Sequence, residues 1–572
     1  MSLPNVPEAV ENGKDEKTKV EYDELLASAG EFGKYQLWLI GCASPFYVFS
    51  AFVYFSQLFM TEVSVNHWCW IPELENLTAF ERKTLAIPSD SESIVGYSRC
   101  SSYVANWSEV LATGLKPDGS WSIKKCQHGW EFNKSEIPYP TIGSERGWVC
   151  DKDSYQATAQ SFFFVGCVIG GFVVGFVSDK FGRVPAAVVA NALGCIGGLA
   201  STFTTNFWEF VICRILVGMA YDNCVMMMYL LILEFTVPKY RSMVANMTFG
   251  IFFTIGVVAL PWISLACGDW KVISLVTSIP LAVAFIAPYI VPESPRWLLS
   301  KGRGEEVIKN IYAIGKTNKK QISLKMVEQF RDSLANNDQD ASGSMLDIFK
   351  RSSLRKMFIC ICLEYLCCMA VFDGLVRTIG SLKFDFFVSF TVISFTELPS
   401  LVLLSFIMDR TGRKWLSVSV MTICALFSFI TPFAGGGLAS VLCSVVARFC
   451  VNMGCNSILQ WSAELMPTPI RGSATSIIHT TGYLATAIAP FIAYLDNYVS
   501  GLSLIIIGGL AFFAATLCLY LPETANQELP QTLEDAEEFI RKKKLFDLPC
   551  LSKKKSNDEI DLDNVNGSFR LK

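Results

Sequence analysis

The chain has 572 residues, of which 51% are hydrophobic and 17% charged, and its formal net charge is -4 at pH 7. Its mean hydropathy of +0.37 is too high for a soluble globular protein. The charges are spread along the chain, so they indicate no nucleic-acid partner. Three histidines and no zinc-type Cys/His spacing predict neither a metal site nor a cofactor.

A polar tail over residues 1–34 opens the chain, and it lacks the apolar core of a secretory signal peptide. The next apolar run, residues 35–60, is long enough to cross a bilayer as the first transmembrane helix. Pro45 lies inside this run and predicts a kink, which neighbouring helices can accommodate.

A long polar loop, residues 61–154, follows the first span and predicts a glycosylated extracellular cap. Three acceptor sequons begin at Asn76, Asn106 and Asn133. An even set of cysteines beside such sequons is typical of an oxidising compartment and predicts disulfides. Three pairings remain open for the four cysteines, which are Cys69, Cys100, Cys126 and Cys150.

Eleven further apolar runs predict a twelve-span, all-α membrane protein. Five lie within 155–291, at about 155–178, 186–204, 207–233, 243–266 and 271–291. A basic linker with amphipathic helices over 292–356 leads to six more within 357–521, at about 357–380, 386–408, 415–433, 438–462, 473–495 and 502–521. A polar tail over 522–572 ends the chain. With the cap outside, alternation places the linker and both tails in the cytoplasm, in agreement with the positive-inside rule.

A charged turn between two spans occurs twice, which indicates a duplicated six-plus-six bundle. The first copy, GFVSDKFGRVP, carries Asp179 and Arg183, and the second, SFIMDRTGRKW, carries Asp409 and Arg413. The fourth and tenth spans are also followed by matching Glu-x6-Arg sequences, Glu234–Arg241 and Glu464–Arg471. A site for a ligand is expected between the two halves.

These motifs resemble the major facilitator superfamily, and within it the organic cation, carnitine and organic anion transporter family. The superfamily resemblance rests on the paired turns, on PESPRWL at 292–298 and on LPET at 521–524. The narrower resemblance rests on the large cap and its ending, which contains GWEF at 129–132 and WVCD at 148–151. The cap looks most like that of insect, carcinine-type members.

The resemblance implies transport by alternating access, with the charged turns acting as gates. We expect Asp179 and Arg183 to bond helix ends and acidic partners such as Glu234 and Glu464. Such a latch favours the outward-open state and breaks when the cytoplasmic side opens. The alternative is a set of surface ion pairs that each contribute little free energy.

Two aspartates inside spans are the leading candidates for substrate binding, because charged side chains are costly in a bilayer. Asp222 lies twelve residues before Glu234, or roughly 18 Å along a helix and hence near the midplane. Its alternative role is pairing with a neighbouring helix, or remaining neutral. Asp373 lies one helical turn from Arg377, and its alternative role is a self-contained ion pair with that residue.

Tyr483 marks a departure from the family pattern. Cation-transporting relatives often have aspartate at the matching position, and anion or carnitine relatives often have arginine. A phenol there can stack on a cation or donate a hydrogen bond. Five further residues are candidates for the cage, although each is also common in packing: Gln160, Tyr229, Phe372, Asn456 and Trp461.

Other polar residues within the spans are expected to be structural. Arg214, Arg448 and Glu397 are typical of ion pairs that couple helices, and His479 is expected to be a packed residue, with a proton-linked role left open.

The leading functional hypothesis is a plasma-membrane carrier of a small organic cation, such as a biogenic amine or a carcinine-like conjugate. The first alternative is a carrier of zwitterions or organic anions, such as carnitine or β-alanine, with Arg377 binding the carboxylate. A second alternative is a non-transporting receptor or scaffold anchored by the bundle. No enzyme motif is present; coupling to protons or sodium stays open, and a monomer is expected.

Overall fold

The structure, a computed structural model, describes residues 21–541 except 91–94, 115–116, 118–120, 336–345, 383, 468–469, 526, 528–529 and 531. Within this part of the chain, twelve helical segments are long and apolar enough to cross a membrane, which confirms the predicted number of spans. They are TM1 (Lys34–Thr61), TM2 (Cys150–Phe181), TM3 (Arg183–Ser201), TM4 (Phe207–Glu234), TM5 (Pro238–Cys267), TM6 (Trp270–Ile290), TM7 (Ser352–Gly380), TM8 (Phe386–Thr411), TM9 (Arg413–Phe433), TM10 (Leu438–Leu465), TM11 (Arg471–Asn497) and TM12 (Leu502–Tyr520).

Helices are the expected solution for these apolar runs, because each pairs its own backbone polar groups inside a bilayer. The turns between TM2 and TM3 and between TM8 and TM9 are sharp, and each contains a glycine at positive φ, Gly182 (111°) and Gly412 (84°). TM1–TM6 and TM7–TM12 form the two halves. We call the face that carries the long loop the cap side and the opposite face the tail side.

TM4, TM6 and TM8 are not single α-helices. TM6 changes from the α-helix Trp270–Ser278 to a 3-10 helix, Ile279–Ile286, and ends in Ala287–Ile290. TM8 consists of the helices Phe386–Phe395 and Glu397–Thr411. TM4 consists of Phe207–Ala220 and Asn223–Glu234, separated by Tyr221 and Asp222. The sequence predicted TM4 as one continuous run, because neither residue at the break is a glycine or a proline.

The cap is a small disulfide-linked unit over TM1 and TM2. Two antiparallel strand pairs, His67–Cys69 with Trp130–Phe132 and Ser101–Tyr103 with Ile123–Lys125, form its sheets. Its helices are Ala79–Ala86, Trp107–Thr113 and Ile142–Glu145. The disulfides join Cys69 to Cys126 and Cys100 to Cys150, so the predicted staple is present and its pairing is defined. Asn76 and Asn106 are exposed and Asn133 is half-buried; their glycosylation stays a prediction.

Short helices cover the tail side. Tyr22–Ser28 precedes TM1, and its Tyr22 hydroxyl donates to the Glu234 carbonyl at 3.1 Å. The linker between the halves contains Pro295–Ser300, Gly304–Asn318, Leu324–Ala335 and Leu346–Lys350. After TM12, Leu533–Arg541 contacts the start of TM7, where Arg351 forms ion pairs with Glu534 and Glu537.

Candidate functional site

Asp222 occupies the break in TM4 and has an unusual backbone. Its φ of 62° and ψ of -50°, together with a 2.7 Å bond from the Asn223 N–H to the Tyr221 carbonyl, form a γ-turn of the rare, strained kind. A non-glycine residue in such a conformation costs about 1–3 kcal/mol and is concentrated at functional sites. Asp222 is the N-cap of the second half-helix, yet its side chain makes no cap bond.

The Asp222 carboxylate instead points across the interface toward TM11 of the other half. The Tyr483 hydroxyl donates a hydrogen bond to it, and His479 Nδ1 lies 3.8 Å from its Oδ2. His479 and Tyr483 are one turn apart on TM11, so they share a face. The His479 ring also stacks on Tyr365 of TM7, with centroids 6.1 Å apart. Asp222 and His479 keep 24% and 30% of their side-chain surface exposed.

Asp373 belongs to a different, saturated network on the cap side of this site. It accepts from the Tyr54 hydroxyl at 2.6 Å and from Arg377 through two nitrogens, one at 3.1 Å. The Arg377 guanidinium also donates to Gln160. Because Asp373 is 1% exposed and its charge is matched, the self-contained pair considered from the sequence is the arrangement observed.

An aromatic barrier separates these two carboxylates. Tyr221 stacks on Tyr54 with ring centroids 4.6 Å apart, and Phe163 and Phe164 pack against the pair. Tyr221 also contacts the edge of Tyr483 at 6.3 Å. Asp222 is therefore covered from the cap side by packed rings.

Several side-chain links join the two halves at the midplane and on the cap side. Besides the bonds of Tyr54 and Arg377, they include Tyr494 to Asp153 at 2.8 Å and the ring contact of Phe59 with Phe390 at 4.9 Å. These bonds and ring contacts hold the two halves together beneath the cap.

Above the barrier, a cavity of about 750 Å³ opens between the cap and the bundle. Its lining is acidic and includes Glu62, Glu136, Asp153, Asp385 and Asp496, with Arg377 at its base. Glu62 accepts from Gln156 at 2.9 Å, and burial raises its pKa to about 7. An acidic entrance of this kind concentrates cations.

The remaining predicted cage residues are placed elsewhere. Trp461 is fully buried and donates its indole N–H to the Pro522 carbonyl at 3.0 Å. Phe372 lies under the Arg448 guanidinium, 3.6 Å from its centroid. Asn456 bonds back to the Asn452 carbonyl, and Tyr229 packs half-buried in the tail-side core of the first half. These four are explained by packing within their own halves.

The structural ion pair expected in the second half is present. Arg448 donates to Glu397 at 2.6 Å. Arg214 is also buried, but its Nε and Nη2 have no hydrogen-bond partner among the described residues, and it lies over the Phe210 ring at 5.0 Å.

The charged turns bond within their own halves. Arg413 pairs with Glu464 and with Asp409, each at 3.0 Å, whereas Arg183 pairs with Asp179 at 3.1 Å. Glu234, which was expected to be a partner of Arg183, accepts from Ser294 instead. Arg241 pairs with Asp23, and Arg471 donates to the Met466 carbonyl. The gating role of these residues stays a prediction.

Two carboxylates that the sequence did not single out anchor these turns. Glu293 accepts from the backbone N–H groups of Arg183 (2.8 Å) and Val184 (3.2 Å) at the start of TM3. Glu523 does the same for Arg413 (2.9 Å) and Lys414 (3.0 Å) at the start of TM9. A carboxylate is stabilised there by free N–H groups and the helix dipole. Glu293 and Glu523 are the glutamates that the two motifs PESPRWL and LPET share, and this shared position was the feature of the sequence that could have identified them.

Comparison with known proteins decides the family. The model of the family described as Sugar (and other) transporter matches residues 105–535. The chain belongs to this family. It is 32% identical to the carcinine transporter of Drosophila melanogaster over 538 residues, covering 91% of this chain and 79% of the relative. It is 27% identical to the human organic cation/carnitine transporter 2 over 524 residues, covering 90% and 93%.

The transporter is also 28% identical to the beta-alanine transporter of Drosophila melanogaster over 550 residues, covering 91% and 89%. Among solved structures it resembles the inward open xylose transporter XylE of E. coli, with a TM-score of 0.55 at 18% identity over 88% of this chain and 98% of that one. The predicted major facilitator fold and organic cation family resemblance are confirmed, and these relatives are transporters rather than enzymes.

Proposed function

We propose that this transporter moves small organic amines across the plasma membrane by alternating access, with Asp222 as the acceptor for the ammonium group. The cap then lies outside the cell, and both termini and the linker lie in the cytoplasm. Substrates of this class are biogenic amines or amine conjugates of the carcinine type, which the 32% identical relative is named for.

The observation that carries the proposal is the Asp222 carboxylate at a broken helix. Its backbone is strained, it makes no cap bond, and its side chain faces TM11. The N-terminal end of the half-helix favours its ionised form, while its midplane position makes an uncompensated charge costly. An ammonium group supplies the missing positive charge, and Tyr483 and Tyr221 offer ring faces for the rest of the cation.

Access from outside requires the aromatic barrier to separate. In the cap-side-open state we expect the Tyr54–Asp373 and Gln160–Arg377 links to break, since they join the two halves. The acidic cavity beneath the cap then leads to Asp222. We expect the charged turns on the tail side to close in the same step.

Zwitterions are the second candidate substrates, because two relatives are named for β-alanine and carnitine. A zwitterion needs a free cation for its carboxylate. Arg377, the guanidinium nearest this path, is already bonded to Asp373 and Gln160. Binding a carboxylate there has to displace Asp373, so the geometry favours amines.

Uptake by cells expressing the chain tests the proposal. Labelled carcinine, histamine and tyramine are compared with labelled β-alanine and carnitine, each at matched surface expression. Saturable uptake of an amine, inhibited by other amines and not by simple carboxylates, supports it. Uptake of β-alanine or carnitine alone favours the zwitterion alternative, and no saturable uptake of any of the five overturns the transport of this substrate class.

A further inference from the structure

His479 is the imidazole beside the proposed ammonium acceptor. Its Nδ1 lies 3.8 Å from the Asp222 carboxylate, close enough for direct attraction when the ring is protonated. The other two histidines, His67 and His128, lie in the cap. A neutral imidazole has one ring nitrogen free to accept a proton, and the resulting imidazolium lies against the Asp222 carboxylate.

The ring is held in place rather than packed into an apolar layer. It stacks on Tyr365 and meets Tyr483 edge-on at 5.2 Å. Glu364, beside Tyr365, is bonded to Cys518 of TM12 instead. The titratable groups around the site come from five spans: Cys167 from TM2, Tyr221, Asp222 and Cys224 from TM4, Tyr365 and Cys368 from TM7, Cys455 from TM10, and Tyr483 from TM11.

We infer that the transporter exchanges one amine cation for one proton, with His479 carrying the proton beside Asp222. The inference rests on the proposed function, because it assigns the amine to the same carboxylate. Two positive charges within about 4 Å of one another repel strongly in a protein interior. The carboxylate therefore holds either a substrate ammonium or the His479 imidazolium.

The exchange follows from this competition. In the cap-side-open state, an entering ammonium displaces the His479 proton, and the proton leaves to the outside. After the change of state the ammonium dissociates into the cytoplasm, and a cytoplasmic proton binds the vacant imidazole nitrogen. The protonated carrier then returns. An empty carrier would expose an uncompensated carboxylate during the return, which the bilayer environment opposes.

The charge count makes the inference measurable. One ammonium enters and one proton leaves in each cycle, so no net charge crosses the membrane. The first test uses proteoliposomes that contain the purified wild-type protein and a trapped pH dye. Tyramine is the probe, because its ammonium stays charged between pH 5.5 and 7.5. We expect tyramine entry to raise the luminal pH, and uptake to be stimulated by an acidic lumen.

A variant series locates the proton. In cells, a proton that competes for the site should raise the wild-type KM for tyramine several-fold as the external pH falls from 7.5 to 5.5. His479→Gln should reduce that rise to less than about twofold, because the amide cannot take the proton. His128→Gln makes the same change on the exposed cap surface and should keep the full rise.

Glu62 is a second control, because burial raises its pKa to about 7 and it titrates in the same range. Glu62→Gln should keep most of the KM rise if His479 holds the proton. If Glu62→Gln flattens the curve and His479→Gln does not, the inference is wrong.

The failures of the two proposals can be told apart. Tyramine uptake that is independent of pH, leaves the luminal pH unchanged or carries a net current overturns proton exchange while leaving amine transport intact. Absence of uptake for all three amines overturns both. If His479→Gln does not reach the surface, the wild-type proteoliposome result alone decides for or against exchange.

Discussion

Replacing Asp222 by asparagine removes one charge from the proposed site and keeps its shape. An ammonium in hydrogen-bond contact with the carboxylate places the two charges about 4 Å apart, worth about 4 kcal/mol at an effective dielectric constant of ~20. The asparagine amide oxygen still accepts a hydrogen bond, and a neutral bond retains roughly half the strength of a charge-assisted one. The expected loss is therefore about 2–3 kcal/mol, or a KM roughly 30–150-fold higher.

Removing the Tyr483 hydroxyl should raise KM less than removing the Asp222 charge. Its bond to Asp222 orients the carboxylate without supplying charge. Tyr483→Phe should raise KM by only about 3–10-fold, the equivalent of one hydrogen bond of ~1 kcal/mol. Asp151→Asn at the cap-side end of TM2, where the carboxylate is 76% exposed, is the matched control and should change KM less than about twofold.

The assay is initial-rate uptake of the best amine substrate, with the amount of transporter at the surface measured by biotinylation. Asp222→Asn should keep near-normal surface expression, because asparagine has the same shape and its amide oxygen can still accept the Tyr483 hydrogen bond. If Asp222→Asn takes up amines with the parent KM while Asp373→Asn does not, the site lies on the cap side of the aromatic barrier. The assignment of Asp222 is then wrong.

Three further predictions concern the surroundings of the site. Asp373→Asn should reduce surface expression several-fold, because breaking a buried ion pair costs about 3–5 kcal/mol, and adding Arg377→Gln should restore part of it. Cys69→Ser, Cys126→Ser and their double variant should traffic equally poorly, because each removes the same disulfide; additive defects by surface biotinylation would contradict that pairing. Burial raises the pKa of Glu62 to about 7, so its folded state loses stability as pH rises toward 7. Glu62→Gln should therefore melt about 2–4 °C higher than the parent at pH 8 and at nearly the same temperature at pH 5; an equal shift at both pH values would exclude this cause.

Hydropathy was sufficient to predict the bundle, because a bilayer permits few structures for twenty apolar residues. Counting residues back from Glu234 also predicted Asp222 near the midplane. The break in TM4 could not be predicted in the same way, since Tyr221 and Asp222 carry no glycine or proline signal. Asp does tolerate positive φ better than most residues, but that tendency is too weak to locate a turn.

Which side chains face the interior was the harder question. Trp461 and Phe372 lie on helices that are apolar on every side, so periodicity does not show the inward face. Tyr54 and Tyr221 form the barrier through long-range stacking, for which the sequence has no local pattern. The position of His479 at the site could have been predicted from the sequence, because it lies one helical turn from Tyr483, which was itself a candidate.

The duplication of the bundle shows where its two halves differ. Counting from the repeated Glu-x6-Arg motifs, the counterpart of Asp222 in TM10 is Asn452, which lies in an unbroken helix and bonds to Thr396 at 3.2 Å. The counterparts of His479 and Tyr483 in TM5 are Phe249 and Phe253, whose rings stack 4.8 Å apart.

The turns and their glutamate anchors are therefore kept in both halves, while the ionisable site is built once, from TM4 of one half and TM11 of the other. Asp373 adds no further free charge, because Arg377 already compensates it. A symmetric pair of carboxylates would accept two cations or repel each other when empty. A single carboxylate beside a single imidazole holds one mobile positive charge in each state, which is the condition that one-for-one exchange requires.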